Sequence, residues 1–467
     1  MNNHFIAAIV LGSSKVTGIV GSKDSDGTIR VLAHIAVPSV DFISKGRVLN
    51  VDKMTACLTS IKQHLETVTE SRIKFFYTAI GCMGMRSVAN SVLMQMPSSE
   101  VVTDELIASI AVKNNEGRLT DREIIKAIPI EYQLSPAQVT LDPKGAVTSR
   151  IEAHFLNIVC GSKILETIHH CFRRAQIDVA DGHIFVGADV LASILTTEQE
   201  RSSGCAFVDM GSETTTVAVY RGKLLRHFCV IPLGGASITR DIANVFNVEL
   251  DEAENLKLTH GYPDFDTISE TETLQLRDGG RVKKLTELAE IIDARVEEIV
   301  QNVKAQIERS GFTRDNLVNG IMLTGGGAQL KGIDNAFKAH FKEWNFRKVK
   351  HSVRLKVECK DRNFNDSGIF NVGLALIDGN STNCYGGEIT LFNGEDSERK
   401  TDEQLSEVQN AQAEVKDVQP EDNAEETKKK EEQEKKKKGP NAFSRFVSKA
   451  KKVVMDIVSE KGEDERE

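Results

Sequence analysis

Closely paired cysteines of the CxxC type are missing from this 467-residue chain, although it contains eight cysteines. Most of the eight stand in apolar runs such as "IVCGS" and "HFCVIP". Scattered cysteines in apolar surroundings are typical of reduced, buried side chains rather than of a disulfide or metal framework. The sequence therefore predicts buried thiols in a cytosolic protein.

Long hydrophobic runs are missing as well. No stretch reaches the roughly 18 apolar residues that a membrane-spanning helix needs. The apolar run "FIAAIVL" near the start is shorter than the core of a usual signal peptide, and no basic segment precedes it. The net charge of −9 also disfavours nucleic acid as a partner. We expect a soluble chain, unless another feature brings it to a membrane.

The composition of the chain changes near residue 380. Before this point apolar strands and amphipathic helices alternate, and the length suggests two or three core-forming units. After it, a long stretch rich in Glu, Lys, Asp, Gln and Asn has almost nothing to bury. Such a segment cannot offset its own ordering entropy, so residues 381–439 are predicted to be a disordered linker.

The folded part contains an internal repeat. The stretch "AAIVLGSSKVTGIV" near the start has a counterpart in "CAFVDMGSETTTVAVY", so that Gly12 aligns with Gly211 and Val10 with Asp209. Each copy reads as a three-stranded meander followed by helical patterns. Two such copies predict an α/β protein with two similarly built halves that face each other across a cleft.

Both copies carry a turn of small residues directly after their first strand. Backbone N–H groups in such a turn can hold phosphate oxygens, and Asp209 at the strand end can hold a hydrated Mg²⁺ beside them. A third element, "NGIMLTGGGAQLKGI", reads as a strand that runs into Gly325–Gly327 and a helix start. Each turn alone could be an ordinary hairpin, but the three in this order predict a nucleotide site.

Several stretches resemble a known family. They include "SKGRVLNVDKM", "AIGCMGMRSVANS", "AIPIEYQLS", "DPKGAVTSRIEAHFLNIV", "IPLGGASITRDIA" and "IIDARVEEIVQNVKAQIERSG". With the paired turns and the later glycine loop, they resemble the actin/Hsp70/sugar-kinase superfamily and, within it, the FtsA family of actin-like bacterial cell-division proteins. The resemblance covers about residues 4–380 and, by layout, the tail as well.

The resemblance implies an actin-like two-lobed ATPase fold with an inserted α/β subdomain and a disordered C-terminal tail that ends in an amphipathic helix. In the insert, the stretch "TDELIASIAVKNNEGRLTDREIIKAI" is predicted to be helical. The implied units are subdomain 1A at 4–84 and 164–204, the insert 1C at 85–163, subdomain 2A at 205–240 and 312–380, subdomain 2B at 241–311, the linker at 381–439 and the helix at 440–460.

The resemblance also implies a set of residues that contact ATP with Mg²⁺. Glu254 and Lys257 would contact the ribose and base, although such a pair is more often a solvated salt bridge. The other implied residues are Gly12, Ser13, Ser14 and Lys15 in the first phosphate loop, Asp209, Gly211, Ser212, Glu213, Thr214 and Thr215 in the second, and Gly325, Gly326 and Gly327 beside the adenosine.

Three positions depart from the family pattern. The family usually has Asp at the place of Val10, and a valine cannot position a metal-bound water. It also has a glycine-richer second loop where Ser212 and Glu213 stand, and the charge of Glu213 is expected to oppose a triphosphate. We therefore expect ATP binding with at most weak hydrolysis. The alternatives are an active ATPase or phosphotransferase of the same superfamily, and a scaffold of rod-shape or pilus-assembly type.

The resemblance implies a binding site for a partner protein on the predicted helix at 285–307. Arg295 and Glu298 lie off its apolar stripe, three residues apart. The matching pair in the FtsA family meets the C-terminal peptide of FtsZ, the tubulin-like ring protein. The plain alternative is an exposed ion pair that contributes little stability.

The end of the chain, "PNAFSRFVSKAKKVVMDIVSEK", has the pattern of an amphipathic helix that lies in a membrane surface. A helix that binds a groove on a partner would look similar. The apolar face would consist of Phe443, Phe446, Val447, Ala450, Val453, Val454, Ile457 and Val458. The interleaved basic residues are Arg445, Lys449, Lys451 and Lys452.

These features combine into one expectation. The chain would be a self-associating scaffold of cell division that binds the FtsZ peptide and other division proteins. It would anchor the FtsZ ring to the cytoplasmic face of the inner membrane, because the tail is tethered there. Subdomain 1C would make contacts along a filament, as the resemblance implies.

Overall fold

Strands and helices alternate along the chain. The computed structural model describes residues 4–388, apart from 118–119, 264–268, 270, 353, 362–363 and 365–367. Within these residues the β-strands are Ile6–Leu11 (β1), Lys15–Lys23 (β2), Ile29–Pro38 (β3), Ile43–Ser44 (β4), Arg47–Val48 (β5), Ser71–Ile73 (β6), Phe75–Ile80 (β7), Arg86–Val101 (β8), Arg122–Ser135 (β9), Gln138–Thr140 (β10), Val147–Gly161 (β11), Asp178–Val186 (β12), Cys205–Met210 (β13), Thr215–Arg221 (β14), Leu224–Ile231 (β15), Thr273–Gln275 (β16), Val282–Lys284 (β17), Ile321–Thr324 (β18), Phe346–Lys348 (β19), Val357–Glu358 (β20) and Tyr385–Glu388 (β21). The α-helices are Val51–Thr69 (α1), Asp104–Glu116 (α2), Ser162–Arg174 (α3), Gly187–Leu195 (α4), Glu198–Ser203 (α5), Gly235–Phe246 (α6), Leu250–His260 (α7), Leu285–Arg309 (α8), Ile333–His340 (α9) and Asn371–Gly379 (α10). The predicted α/β class is confirmed.

Two sheets repeat one arrangement of five strands. In the first, β1, β2 and β3 form an antiparallel meander, with β7 parallel to β1 and β12 parallel to β7. In the second, β13, β14 and β15 form the meander, with β18 parallel to β13 and β19 parallel to β18. We call the part built on the first sheet the first lobe and the part built on the second sheet the second lobe. The predicted duplication is confirmed.

The two meanders also agree residue by residue. Val10 pairs with Thr17 across the first hairpin, and Asp209 pairs with Thr216 across the second. Both hairpins have the same register, so the sequence alignment of Val10 with Asp209 holds in three dimensions.

One long helix of each lobe covers its sheet. The buried residues of α1 follow helical spacing, at Met54, Cys57, Leu58, Ile61 and Leu65. The Asn50 side chain accepts a hydrogen bond from the Lys53 N–H and so caps the first turn of α1. In the second lobe, α8 buries the predicted stripe of Leu288, Ile292, Val296, Ile299, Val303 and Ile307. Each stripe closes one hydrophobic core.

The chain returns to the first lobe before it reaches residue 380. Residues 312–380 were assigned to subdomain 2A, but β20 pairs with β3 and α10 packs in the core of the first lobe. The contact is close, because a Cβ added at Gly373 would lie 2.5 Å from Ile19 Cγ2. The assignment of 350–380 to the second lobe is therefore wrong. An apolar helix pattern shows that a helix is buried but not which core receives it.

Two further predicted domain boundaries differ from those in the structure. The linker was expected from residue 381, but Cys384 is buried and β21 pairs with β6. The boundary at 240 falls inside α6, which is one continuous helix. Residues 389–467, with most of the predicted linker and the whole predicted helix at 440–460, lie outside the described residues.

The insert at 85–163 has a small core of its own, between α2 and the strands β8, β9 and β11. Its sheet continues that of the second lobe through one pair, Cys229 with Arg86. The stretch from Thr103 was predicted to be helical throughout, but only its first half forms α2 and "REIIKAI" begins β9. Ile125 and Ile128 of this segment pack in the core of the first lobe, and these tertiary contacts override the helical pattern.

Six of the eight cysteines are buried, as predicted, and Cys229 and Cys359 are half-buried.

Candidate functional site

The first strand of each meander ends in a turn of the same geometry. The Gly12 N–H donates to the Lys15 carbonyl oxygen at 3.2 Å, and the Gly211 N–H donates to the Thr214 carbonyl oxygen at 2.8 Å. A Cβ at Gly12 would lie 2.7 Å from the Lys15 oxygen. The turn therefore has no room for a side chain at this position. We call residues 12–15 and 211–214 the first and second phosphate turns.

Ser13, Ser14 and Lys15 are half-buried in the first turn, as Ser212 and Thr214 are in the second. Thr215 differs from its predicted role, because its buried hydroxyl donates to the Leu233 carbonyl oxygen at 2.8 Å. Its side chain therefore holds the second phosphate turn in place from inside.

Asp209 stands at the end of β13, next to the second phosphate turn. Removal from water raises the pKa of its carboxyl group to about 6. The same place in the first lobe holds Val10, which offers no ligand atom. No group of three or more His, Cys, Asp or Glu side chains suitable for a metal occurs among the described residues. The carboxylate of Asp209 is a ligand type that Mg²⁺ accepts, and Mg²⁺ in proteins commonly keeps several waters beside one or two carboxylates.

The triple-glycine loop packs directly against the second phosphate turn. A Cβ at Gly325, whose φ is +95°, would lie 2.3 Å from the Met210 carbonyl oxygen and 2.5 Å from Asp209 Oδ1. A Cβ at Gly327 would lie 2.8 Å from Met210 Cγ, whereas one at Gly326 would meet nothing within 4 Å. The expected helix start is a short 3₁₀ turn at Gly327–Gln329, and α9 begins only at Ile333. Gly325 and Gly327 thus pack closely, Gly326 has free space beside it, and no α-helix begins directly after the loop.

Gly234 and Gly235 also belong to this cluster, although they were not among the predicted site residues. The Gly235 N–H donates to the Gly211 carbonyl oxygen at 3.0 Å, and the Ala236 N–H donates to the Ser212 carbonyl oxygen at 2.7 Å. A Cβ at Gly234 would lie 2.6 Å from both of these oxygens. Two adjacent glycines between a strand and a helix are the signal that could have identified them.

Glu254 and Lys257 lie beside the same glycines on α7. Lys257 is buried, and its ammonium group donates to Glu254 Oε2 at 2.7 Å, to Thr239 Oγ1 at 2.8 Å and to the Gly235 carbonyl oxygen at 3.1 Å. The Glu254 side chain is 43% exposed. The alternative of a solvated surface pair therefore does not describe Lys257, although Glu254 still reaches solvent.

The two phosphate turns are connected through the hairpin of β4 and β5. The Gly46 N–H donates to Ser13 Oγ at 2.9 Å, and the Lys45 N–H donates to Glu213 Oε2 at 2.6 Å. Glu213 is also paired with Arg240 at 2.7 Å. Glu213 is therefore not an isolated charge, because the guanidinium group of Arg240 lies beside it.

Arg295 and Glu298 project from α8, off its buried stripe. Arg295 forms two hydrogen bonds with Asp241, at 2.5 and 3.0 Å, and also pairs with Glu298. Its side chain is 16% exposed. These contacts hold the guanidinium group in a fixed position, so the pair is more than a loose surface ion pair.

The remaining predicted site, the amphipathic face and basic residues between Phe443 and Val458, lies outside the described residues. Among the helices of the described part of the chain, none is long and apolar enough to cross a bilayer.

Two family models match the chain. One, described as cell division protein FtsA, matches residues 206–366, and one described as type IV pilus assembly protein PilM matches residues 9–269. The cell division protein FtsA of Escherichia coli K12 is 29% identical over 339 residues, which cover 70% of this chain and 80% of that protein. The FtsA of Neisseria meningitidis serogroup B is 26% identical over 333 residues, which cover 70% and 80%.

A solved structure, the PilM–PilN type IV pilus biogenesis complex, is 16% identical to this chain. The likeness covers 80% of this chain and 97% of that one, with a TM-score of 0.56. It shows that the two proteins share a fold. The duplicated lobes described above are thus an arrangement found in a solved structure.

Proposed function

Because the chain belongs to the FtsA family of actin-like cell-division proteins, we propose that it is a nucleotide-binding scaffold that links the FtsZ ring to the cytoplasmic face of the inner membrane. It binds ATP with Mg²⁺ between its lobes, self-associates and contacts the C-terminal peptide of FtsZ. Its tail attaches it to lipid, and other division proteins join the assembly.

The observation that carries the proposal is that the triple-glycine loop packs against the second phosphate turn, and that the hairpin of β4 and β5 joins this turn to the first one. A Cβ would lie 2.7 Å from the Lys15 carbonyl oxygen at Gly12 and 3.0 Å from the Thr214 carbonyl oxygen at Gly211. Gly325 and Gly327 pack against the second turn from one side. Such backbone binds anionic groups without side chains in the way. A duplicated turn accommodates the phosphates from two sides.

The residues divide the task of binding. Ser13, Ser14 and Lys15 provide polar groups for the phosphates from the first lobe, and Ser212 and Thr214 provide them from the second. Bound Mg²⁺ neutralises phosphate charge, and Asp209 would hold it through water. Glu254 reaches solvent next to Lys257, where it can accept hydrogen bonds from a ribose.

Val10 limits the hydrolysis of nucleotide that this site can support. It occupies the place that Asp209 has in the other lobe, and an alkyl side chain can neither bind a metal-bound water nor take a proton. We therefore propose that nucleotide serves mainly as a ligand that sets the state of assembly.

Gly326 offers a direct test of the nucleotide site. Gly326→Val adds a side chain where the protein has open space, so the fold should tolerate it while the side chain blocks an adenosine beside the loop. Isothermal titration calorimetry with ATP and Mg²⁺ should show binding to the unaltered protein and a loss of at least tenfold in the variant. Gly280→Val is the matched control, because a Cβ there also meets nothing within 4 Å. Equal ATP affinity in all three proteins would contradict the proposed site.

The partner face on α8 is tested with a peptide from the C-terminus of FtsZ of the same organism. Arg295→Glu should abolish peptide binding in fluorescence anisotropy, because the guanidinium group that faces the peptide is replaced by a carboxylate. Arg309→Glu, an exposed position on the same helix, is the matched charge reversal and should bind normally. Thermal melting of both variants shows whether loss of the Asp241 contact unfolds the protein. If the unaltered protein does not bind the peptide, the pilus-assembly alternative is favoured.

A further inference from the structure

A tight hairpin turn lies between the two phosphate turns. It joins β4 to β5 through Lys45 and Gly46, whose φ angles of 51° and 73° are both left-handed. Two successive left-handed residues are typical of the two-residue hairpin turn of type I′. The turn is held against the first lobe, because the Met83 N–H donates to the Lys45 carbonyl oxygen at 2.9 Å. A Cβ at Gly46 would lie 2.3 Å from the Gly81 carbonyl oxygen, so the backbone approach is tight.

The two N–H groups of this turn are each used by a different phosphate turn. The Gly46 N–H donates to Ser13 Oγ in the first turn, within its own lobe. The Lys45 N–H donates to Glu213 Oε2 in the second turn, which belongs to the other lobe. The hairpin therefore connects the two lobes at the place where a nucleotide's phosphates are proposed to bind.

Glu213 is suited to hold this contact as an anion. Its side chain is 11% exposed, and its second oxygen pairs with Arg240 Nη1 at 2.7 Å. Burial alone would raise the pKa of this carboxyl group. Hydrogen bonds from Arg240, the Lys45 backbone and Ser44 outweigh burial and hold the pKa below its ordinary value. The group is thus charged at neutral pH, with Arg240 as its counterion.

We infer that Glu213 is an internal latch that holds the second phosphate turn to the first lobe and competes with the terminal phosphate of a nucleotide. The inference rests on the proposed nucleotide site. A phosphate between the two turns meets the carboxylate of Glu213 as a like charge, and it attracts the same guanidinium group of Arg240. Glu213 therefore lowers the affinity for a triphosphate more than for a diphosphate. Binding of ATP releases the Lys45 N–H and changes how the lobes are joined.

The latch is tested first without nucleotide, by hydrogen exchange of the individual Lys45 and Gly46 amides in the full-length protein. Glu213→Ala should speed exchange of the Lys45 amide by at least about tenfold and leave the Gly46 amide nearly unchanged. Ser13→Ala should speed exchange of the Gly46 amide and leave the Lys45 amide nearly unchanged. If neither variant changes the exchange rate of either amide relative to the unaltered protein, the latch is overturned, whatever the protein binds.

The competition is tested by the affinities for ATP and ADP with Mg²⁺. Glu213→Gln removes the charge and frees Arg240, so ATP should bind about tenfold more tightly and ADP should change less. Arg240→Gln leaves the Glu213 charge without its counterion, so ATP should bind more weakly. Glu358→Gln, at an exposed ion pair with Arg30, is the matched control and should change neither affinity.

The two variants are expected to change the affinity for ATP in opposite directions. This difference distinguishes competition from a purely structural role of Glu213. If Glu213→Gln and Arg240→Gln both weaken ATP binding, Glu213 only supports the turn and the competition is overturned. If no protein in the series binds nucleotide, the proposed nucleotide site and the competition both fail. The exchange of the Lys45 amide then still decides whether the latch exists.

Discussion

At the level of single residues, the two lobes differ most at one equivalent pair. Val10 and Asp209 share a strand position and a register, yet only Asp209 can carry a charge. The half-buried carboxyl group of Asp209 has a raised pKa, because it loses contact with water at the strand end. A side chain kept in an unfavourable surrounding is typical of a binding site rather than of a group retained for stability.

The raised pKa predicts how stability depends on pH. Between the ordinary value of 3.8 and the folded value of about 6, the folded chain keeps a proton on Asp209 that the unfolded chain has lost. The free energy of unfolding therefore falls through this range as the pH rises. Asp209→Asn removes this effect, so the variant should gain stability relative to the unaltered protein between pH 4 and pH 7, by at most about 3 kcal/mol.

Urea denaturation at both pH values measures this difference. A gap between the two proteins that is the same at pH 4 and pH 7 would show that the carboxyl group titrates normally.

At the level of elements, α10 shows to which lobe the C-terminal part of the described residues belongs. It is a short helix, but Leu374, Ala375, Leu376 and Ile377 are all buried in the core of the first lobe. A Cβ at Gly21 on β2 would lie 3.1 Å from Ile377 Cδ1, so helix and sheet approach closely. This helix therefore packs on the first sheet, and the second lobe is inserted between two parts of the first.

Leu376→Ala tests this packing. Leu376 is fully buried, so its truncation should lower the free energy of unfolding by about 2–5 kcal/mol in urea denaturation. Hydrogen exchange should speed up in β1 and β2 more than in β13 and β14. Leu258→Ala, at a side chain that is 67% exposed, is the control and should have little effect. Faster exchange mainly in the second lobe would contradict the placement of α10.

At the level of the whole molecule, binding, assembly and attachment to lipid are proposed to act together. Basic residues near an anionic membrane contribute on the order of 1 kcal/mol each, so one short helix binds reversibly. Many copies held side by side bind much more firmly without any new contact. Self-association of the folded part would therefore control attachment through the tail.

Truncation after Gly439 tests the role of the tail. The shortened chain keeps every described residue, so its thermal melting should match that of the full chain. It should no longer sediment with anionic liposomes, because the proposed apolar face and its lysines are removed. Replacement of Lys449, Lys451 and Lys452 by Gln should weaken sedimentation and make it less sensitive to salt. Unchanged sedimentation of the truncated chain would rule out the tail as the anchor.

Much of the fold could be predicted from the sequence, because the signals are local. Strand patterns, glycines at turns and the stripe of α8 each depend on residues that are neighbours in the chain, so the duplicated meanders and the alignment of Gly12 with Gly211 were predictable. The strand in the second half of the "TDELIASIAVKNNEGRLTDREIIKAI" stretch was not, because its apolar spacing fits a helix as well.

The sequence by itself therefore determined the two phosphate turns, the triple-glycine loop and the place of Val10, since each is a property of a short segment. Only the tertiary structure decided which core receives α10, and that Glu213 bonds to Lys45 and Arg240 instead of standing as an uncompensated charge. The same holds for Arg295, whose partner Asp241 lies 54 residues away in the chain. Such contacts join segments far apart in sequence, and their geometry depends on how both lobes pack rather than on any local pattern.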